Sequence, residues 1–254
     1  VNEPGAPIPR TDPASTEMRE RAKAEGVETI WDRYAALGTQ CKVGELGICC
    51  TICHMGPCNL GLPGSKRPKV GVCGATVDNV VARRLARGMA AGSAAHSDHG
   101  RAVASLLLKT ARGEAPGYHI ADEEKLNSLA DELGIEREGK SVEQVAEEVA
   151  LGCLAQFGAQ EDGVTFLGRA PEKQREDWEK LDITPRGIDR EVVDVMHRTH
   201  MGVDSDYKTV ILGAMRSTLA DGWGGSMIAT DLQDVLFGTP KPVRAEVNLG
   251  VLSE

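Results

Sequence analysis

The stretch Cys41-Lys-Val-Gly-Glu-Leu-Gly-Ile-Cys49-Cys50-Thr-Ile-Cys53-His-Met-Gly-Pro-Cys58 sets five thiols close together, and Gly71-Val-Cys73-Gly74 adds a sixth. The chain has 254 residues and seven cysteines, and the seventh, Cys153, stands alone. A small secreted domain would tie such thiols into disulfides, but a chain of this length can build a core without them. Thiols crowded this densely in a reduced protein ligate metal. The spacing of Cys50, Cys53 and Cys58 lets three thiolates wrap one face of a metal cluster without regular secondary structure. Gly56 and Pro57 force the turn, and backbone amides near glycine can approach sulfide closely. Cys73 returns after a longer excursion as a fourth ligand. Three local thiolates and one distant one are a common plan for a cubane [4Fe–4S] cluster. A structural zinc site is the alternative, although zinc sites favour two short Cys-x₂₋₄-Cys pairs.

Cys41 and Cys49 are left over. One chain offers half a ligand set for a second cluster, which a twofold dimer would complete by placing two such pairs across its axis. Two free thiols, or a redox disulfide between them, are the other readings, and the cysteines alone leave all three open.

Composition narrows the field. Hydrophobic residues make up 41% and charged residues 26%, the balance of a globular protein. Aromatic content of 4% leaves the core to small aliphatic side chains, which suit packed helices better than a β-sandwich. A formal charge of −9 and a pI near 5.3 argue against nucleic acid as a partner, because phosphate binding needs a basic stripe. Lys66, Arg67 and Lys69 cluster locally, as do Arg83, Arg84 and Arg87. The arginine cluster reads either as a positive field beside an anionic cluster or as a solvated face with salt bridges. No apolar run is long enough to span a membrane, and the polar, proline-containing start is no secretory signal. Residues 1–25 are expected to be a mobile arm, and the cytoplasm is the expected location.

The remainder reads as helices. Thr76 is a plausible N-cap for a run to Met89 with Val77, Val81, Leu85 and Met89 at i+4 spacing. A second run covers Ala90 to about Arg112 and carries His96 and His99 one turn apart. Such a pair can bind metal, relay protons or satisfy hydrogen bonds at a helix junction. Asp122 is expected to cap a helix with Leu126, Leu129 and Leu133 that ends near Gly134. The next helix carries Val142, Val145, Val149, Cys153 and Phe157 on one stripe, making Cys153 a core thiol. Glu161 to Pro185 reads as loops with a short helix around Trp178. Helices follow from Asp189 to His200, where His197 and His200 suit the C-terminal dipole, and from Tyr207 to Leu219. Asp221-Gly-Trp-Gly-Gly225 is expected to break that helix, with a last short helix from Asp231 to Leu236.

Five blocks together resemble the anaerobic nickel-dependent carbon monoxide dehydrogenases. They are Cys41–Cys58, Gly71-Val-Cys-Gly-Ala75, Ala94-Ala-His-Ser-Asp-His-Gly-Arg101, Leu219-Ala-Asp-Gly-Trp-Gly-Gly-Ser-Met-Ile-Ala-Thr-Asp231 and Leu236-Phe-Gly-Thr-Pro240. The resemblance implies that Cys50, Cys53, Cys58 and Cys73 hold a [4Fe–4S] relay called cluster B. It implies that Cys41 and Cys49 supply half of cluster D, [4Fe–4S] or [2Fe–2S], shared between the subunits of a homodimer. A Ni-Fe-S cluster C is the family's active site, with ligands that the resemblance places outside this chain. His96 matches the position against that cluster which assists proton transfer, and His99 the next step of a histidine ladder. Ala102 and Ser105 stand where some members continue the ladder, so the relay is shortened here.

The expected fold is therefore mainly α: a helical domain with irregular N-terminal iron–sulfur cysteine loops over residues 26–240. Residues 241–254 would begin an α/β (Rossmann-like) domain that is not completed, so the sequence is expected to be part of a longer protein. The implied reaction is the reversible oxidation of CO with water to CO₂, with a ferredoxin-like carrier and an acetyl-CoA synthase as candidate partners. The alternatives are a non-catalytic iron–sulfur electron-transfer module and a hybrid-cluster protein that reduces hydroxylamine. The adjacent Cys49-Cys50 and the separate Cys41 fit the hybrid-cluster reading poorly.

Overall fold

The computed structural model describes residues 12–38 and 41–241. The expected α/β start at 241–254 and the first eleven residues of the expected arm lie outside them, Lys241 excepted. Pro13–Ala24 is a helix, α1, capped by Asp12, whose carboxylate accepts from the Ser15 amide at 3.0 Å. None of its side chains is buried, and the same holds for α2, Ile30–Ala36. The one-turn α3, Lys42–Glu45, leads to the cysteine loops, where strand β1, Cys49–Cys50, pairs antiparallel with β2, Cys58–Asn59. The register sets Cys49 opposite Asn59 and Cys50 opposite Cys58.

The two runs expected on either side of Met89 are one helix, α4, which spans 35 residues from Val77 to Ala111. Thr76 caps it as expected, forming a capping box with Asn79. Gly88 and Gly92 do not interrupt it, because neighbouring elements pack along its length and outweigh the small propensity cost of glycine. The apolar i+4 stripe is not buried as a whole: Val77 and Met89 are half-buried, but Val81 is 43% and Leu85 55% exposed. Asn79, Val80, Ala82, Arg83, Ala86 and Ala90 turn inward instead. Alanine, rather than the larger i+4 stripe, faces the core because α8, Ile188–Arg198, and α9, Tyr207–Ala220, cross there. Ala82, Ala86 and Ala90 pack with Val195, Val210 and Ala214.

Beyond this crossing, α4 meets α5, Glu123–Glu132, α6, Val142–Gly158, and α10, Ser226–Phe237, in the largest core. Asp122 caps α5 through the Lys125 amide at 2.8 Å, and Gly134 follows in the left-handed region at φ 68°. The stripe expected on α6 is buried at Val145, Val149, Cys153 and Phe157. The loops expected over 161–185 contain a 3₁₀ turn, Thr165–Arg169, which buries Phe166, and α7, Glu172–Lys180, around Trp178. The Asp221–Gly225 segment does not break the chain direction. It is a single π turn that joins α9 to α10 without interruption, so α10 starts five residues earlier than expected. Among the described residues, no helix is long and apolar enough to cross a membrane.

Burial sets the chemistry of Cys153. It pushes the thiol up to about 12, with a further push from the Asp231 carboxylate and a small opposing pull from Arg169. Because thiolate is the nucleophile, Cys153 is expected to resist alkylation by iodoacetamide at pH 8 in the folded protein and to react once unfolded. Mass spectrometry of the labelled peptides checks this, and labelling of Cys153 in the native state would contradict the burial.

Candidate metal centre

Four cysteines converge on one pocket. Cys50 and Cys58 face each other across the short ladder, Cys53 sits in the connecting turn, and Cys73 closes the far side. Ile52, Val72, Ala75 and Val80 complete an apolar wall, and Leu60, Ala75 and Val80 form the small core beneath it. The Gly71–Ala75 turn is fixed by the Gly71 amide donating to the Ala75 carbonyl at 2.8 Å and the Gly74 amide to the Gly71 carbonyl at 2.9 Å. Gly74 has φ 85°, a conformation that glycine alone adopts at little cost.

Hydrogen bonds already point at the sulfurs. The Val72 amide donates to Cys58 Sγ at 3.5 Å, and Arg83 Nη1 donates to Cys73 Sγ at 3.5 Å. Burial works to raise the Cys73 thiol. It is outweighed by the Arg83 hydrogen bond, the Ala75 and Gly202 amides and the Arg83 charge, which together hold the thiol below its ordinary value. Amide donors and a guanidinium around a thiolate are what an anionic iron–sulfur cluster uses, so the donor set fits such a group. A cubane takes one thiolate per iron, whereas a structural zinc site takes four donors on one ion.

Cys41 and Cys49 lie apart from this pocket. Cys49 leaves the opposite side of β1 from Cys50, as successive strand residues do. Cys41 is exposed and caps α3. The Gly44 and Val43 amides, in that order, hold its thiol below the ordinary value. Cys50, Cys53, Cys58 and Cys73 line the pocket, and Cys41 and Cys49 do not. Leu46, Val81 and Leu85 are exposed around Gly44, Gly47 and Gly88, giving an apolar face next to this pair.

His96 and His99 project from α4 into exposed positions. No hydrogen bond joins them; each has its own partner. His96 Nδ1 lies 2.8 Å from Asp221 Oδ1, and Ser226 Oγ donates to the same oxygen at 3.0 Å. His99 Nε2 lies 3.5 Å from the side-chain nitrogen of Gln233, a contact at the edge of hydrogen-bond distance. Asp221 was not singled out from the sequence, where it reads as the start of a glycine-rich break. The π turn it opens is a device that often marks functional sites, because the extra residue re-aims a side chain. His197 lies in the last turn of α8, and His200 falls just past its Thr199 C-cap, outside the helix.

The π turn reaches α4 through a close backbone crossing. A Cβ on Gly100 would lie 2.5 Å from the Gly225 carbonyl oxygen, and one on Gly225 would lie 3.1 Å from that of His96. Ser97 and Arg101 brace the same turn of α4 against α8 through Asp189, at 2.5 Å and 2.7 Å. The crossing is what brings Asp221 to His96.

These features define a helical protein with a four-thiolate site at one end of its longest helix and a histidine–carboxylate pair farther along it. The chain belongs to the prismane/CO dehydrogenase family, whose model matches residues 48–254. Carbon monoxide dehydrogenase 1 of Methanosarcina mazei is 54% identical over 95% of this chain and 38% of its own length. A Ni-free carbon monoxide dehydrogenase structure from Thermococcus sp. AM4 superposes with a TM-score of 0.81 at 46% identity, covering all of this chain and 41% of that one. An acetyl-CoA synthase/carbon monoxide dehydrogenase structure, described by its NiZn[Fe4S4] and NiNi[Fe4S4] clusters, gives 0.81 at 38% identity over 92% of this chain and 35% of its own. The chain therefore spans about 38% of the curated relatives it matches.

Gly100→Ala is expected to force α4 away from Gly225 and to cost about 1–3 kcal/mol by overpacking. Urea unfolding monitored by circular dichroism reads this, and an unchanged midpoint would show that the crossing has slack.

Proposed function

We propose that this chain is the electron-relay part of a nickel-dependent carbon monoxide dehydrogenase. The whole protein would convert CO and H₂O reversibly to CO₂, two protons and two electrons. The observation that carries this is the continuity of α4, which links the four-thiol pocket to the His96–Asp221 pair. Cys73 approaches the helix at Arg83, and His96 follows thirteen residues later, about 20 Å along the axis at 1.5 Å per residue. That distance separates an electron exit from a proton-handling site while holding both on one rigid element.

Cys50, Cys53, Cys58 and Cys73 would hold cluster B, and Cys41 and Cys49 would give half of cluster D to a homodimer. When bound, these groups supply one-electron relay sites, and a Ni-Fe-S cluster C held by residues outside this chain supplies the centre at which CO and water react. The apolar face beside Cys41 and Cys49 supports a subunit contact there. His96 would accept a proton released in the reaction. Asp221 fixes its ring through Nδ1, leaving Nε2 free to exchange protons. His99 is the next group outward on α4, and its neighbour Gln233 can hold a water but cannot carry charge. A ferredoxin-like protein in the cytoplasm is the proposed electron carrier. The acetyl-CoA synthase named with one related structure supports such an enzyme as a further partner.

Iron, sulfide and nickel analysis of the intact gene product, with anaerobic EPR, tests the proposal. Nickel near one per subunit and signals altered by CO are expected. About ten or fewer irons with no nickel would leave the electron-transfer or hybrid-cluster readings. His96→Ala and Asp221→Asn are expected to lower CO oxidation by about 10²–10⁴-fold at unchanged metal content, the usual worth of positioned acid–base catalysis. Full activity in both variants would remove His96 from the proton path.

A further inference from the structure

Arg83 is the largest fully buried side chain of the chain's described residues, at 1% exposure. A guanidinium is permanently charged, and burying one without an anion costs several kcal/mol. The other buried arginine, Arg216, has the Asp182 carboxylate at 3.2 Å, and the less buried Arg169 and Arg186 pair with Glu132 and Asp231 and with Glu191. No carboxylate lies within salt-bridge distance of Arg83 among the described residues. Its Nη1 donates to Cys73 Sγ at 3.5 Å, its Nη2 donates to the Asp204 carbonyl at 2.7 Å, and its Nε has no partner. The sole anionic group it reaches is therefore a cysteine sulfur of the four-thiol pocket.

The rest of the local structure keeps it there. Asn79, one turn earlier on α4, donates to the Ser205 carbonyl at 2.7 Å, so the two side chains together clasp the loop between α8 and α9. That loop places the Gly202 amide on Cys73 and Met201 against the pocket. Arg84 is exposed, and Arg87 donates to Thr199 Oγ1 at 3.0 Å, so neither neighbouring arginine duplicates the contact.

We infer that Arg83 is the buried countercharge of the iron–sulfur site and holds its reduction potential up, acting through Cys73 as a positioning and tuning residue. This rests on the reading of Cys50, Cys53, Cys58 and Cys73 as cluster ligands. Reduction adds one negative charge to a group that is already anionic. A fixed positive charge and an N–H···S bond in a low-dielectric pocket stabilise the added electron more than the oxidised state. The Asp204 carbonyl binds the outer side of the guanidinium and keeps it facing the sulfur.

The test is an anaerobic redox titration of the intact holoprotein, following the EPR signal of the reduced relay cluster in wild type, Arg83→Met and Arg83→Lys. Methionine keeps most of the volume and removes charge and donors together. At a fixed solution potential the reduced-to-oxidised ratio of Arg83→Met is expected to fall about tenfold, which for a one-electron couple is about 59 mV. Arg83→Lys is expected to lie between that variant and wild type, because it keeps the charge and loses the fork. In ¹⁵N-arginine-labelled protein, pulsed EPR is expected to show an arginine nitrogen coupling to the cluster that is absent in Arg83→Lys. An Arg83→Met protein with wild-type iron, sulfide and midpoint overturns the inference. If Arg83→Met does not assemble, a wild-type midpoint or a surviving nitrogen coupling in Arg83→Lys does so instead. Absence of a relay-cluster signal in wild type would instead overturn the ligand assignment itself.

Discussion

Everything in this structure is hung on one long helix that other elements can approach closely. A helix of 35 residues runs about 52 Å, and a segment that long gains little from propensity alone. Its inward side is a seam of small residues, Ala82, Ala86, Ala90, Ser93, Ser97, Gly100 and Ala104, all buried. Small side chains let α8, α9 and the π turn come close enough for direct polar contacts between backbones and side chains. Ser93 Oγ donates to the Ser217 carbonyl at 3.1 Å, and Gly100 lies against the Gly225 carbonyl. Larger residues at these positions would separate the layers and dissolve both functional arrangements.

The same seam explains why two sites share a scaffold without interfering. At the first end, α4 offers Asn79 and Arg83 to the loop after α8 and to Cys73, placing a buried positive charge at the pocket. Three turns later it offers His96 to a carboxylate that arrives from the α9–α10 junction. In the proposed reading the first arrangement favours negative charge and the second handles protons, and each would be disturbed by proximity to the other. Rigidity of the intervening helix keeps their separation fixed.

The large core under α5, α6 and α10 has a different task. Leu107, Leu126, Leu129, Phe157, Ile228 and Leu232 are all nearly inaccessible and hold the far half of α4 in place. Cys153 belongs to that core, and its raised thiol separates it chemically from the six N-terminal cysteines, one of which, Cys73, is tuned the other way.

Much of this was legible from residues alone. Cysteine spacing suggests Cys50, Cys53, Cys58 and Cys73 as one set and leaves Cys41 and Cys49 over, and those four line one pocket. Thr76, Asp122 and the α6 stripe are readable because caps and 3.6-residue periodicity are local properties. The tertiary structure decided what local rules cannot see. Arg83 reads as one of three clustered arginines, a positive field or a solvated face, and only the loop from Thr199 to Asp206 closing over it buries it. Val81 and Leu85 sit on the larger apolar stripe yet are exposed, while Ala82 and Ala86 are buried, because hydrophobicity does not record which side a neighbour approaches. Asp221 sits in what reads as a glycine break, yet those glycines permit a close crossing and continue the helix as a π turn. Periodicity and spacing are fixed by the chain's own geometry. The partner of a buried charge, and the carboxylate that orients a histidine 125 residues away, are fixed by how helices pack.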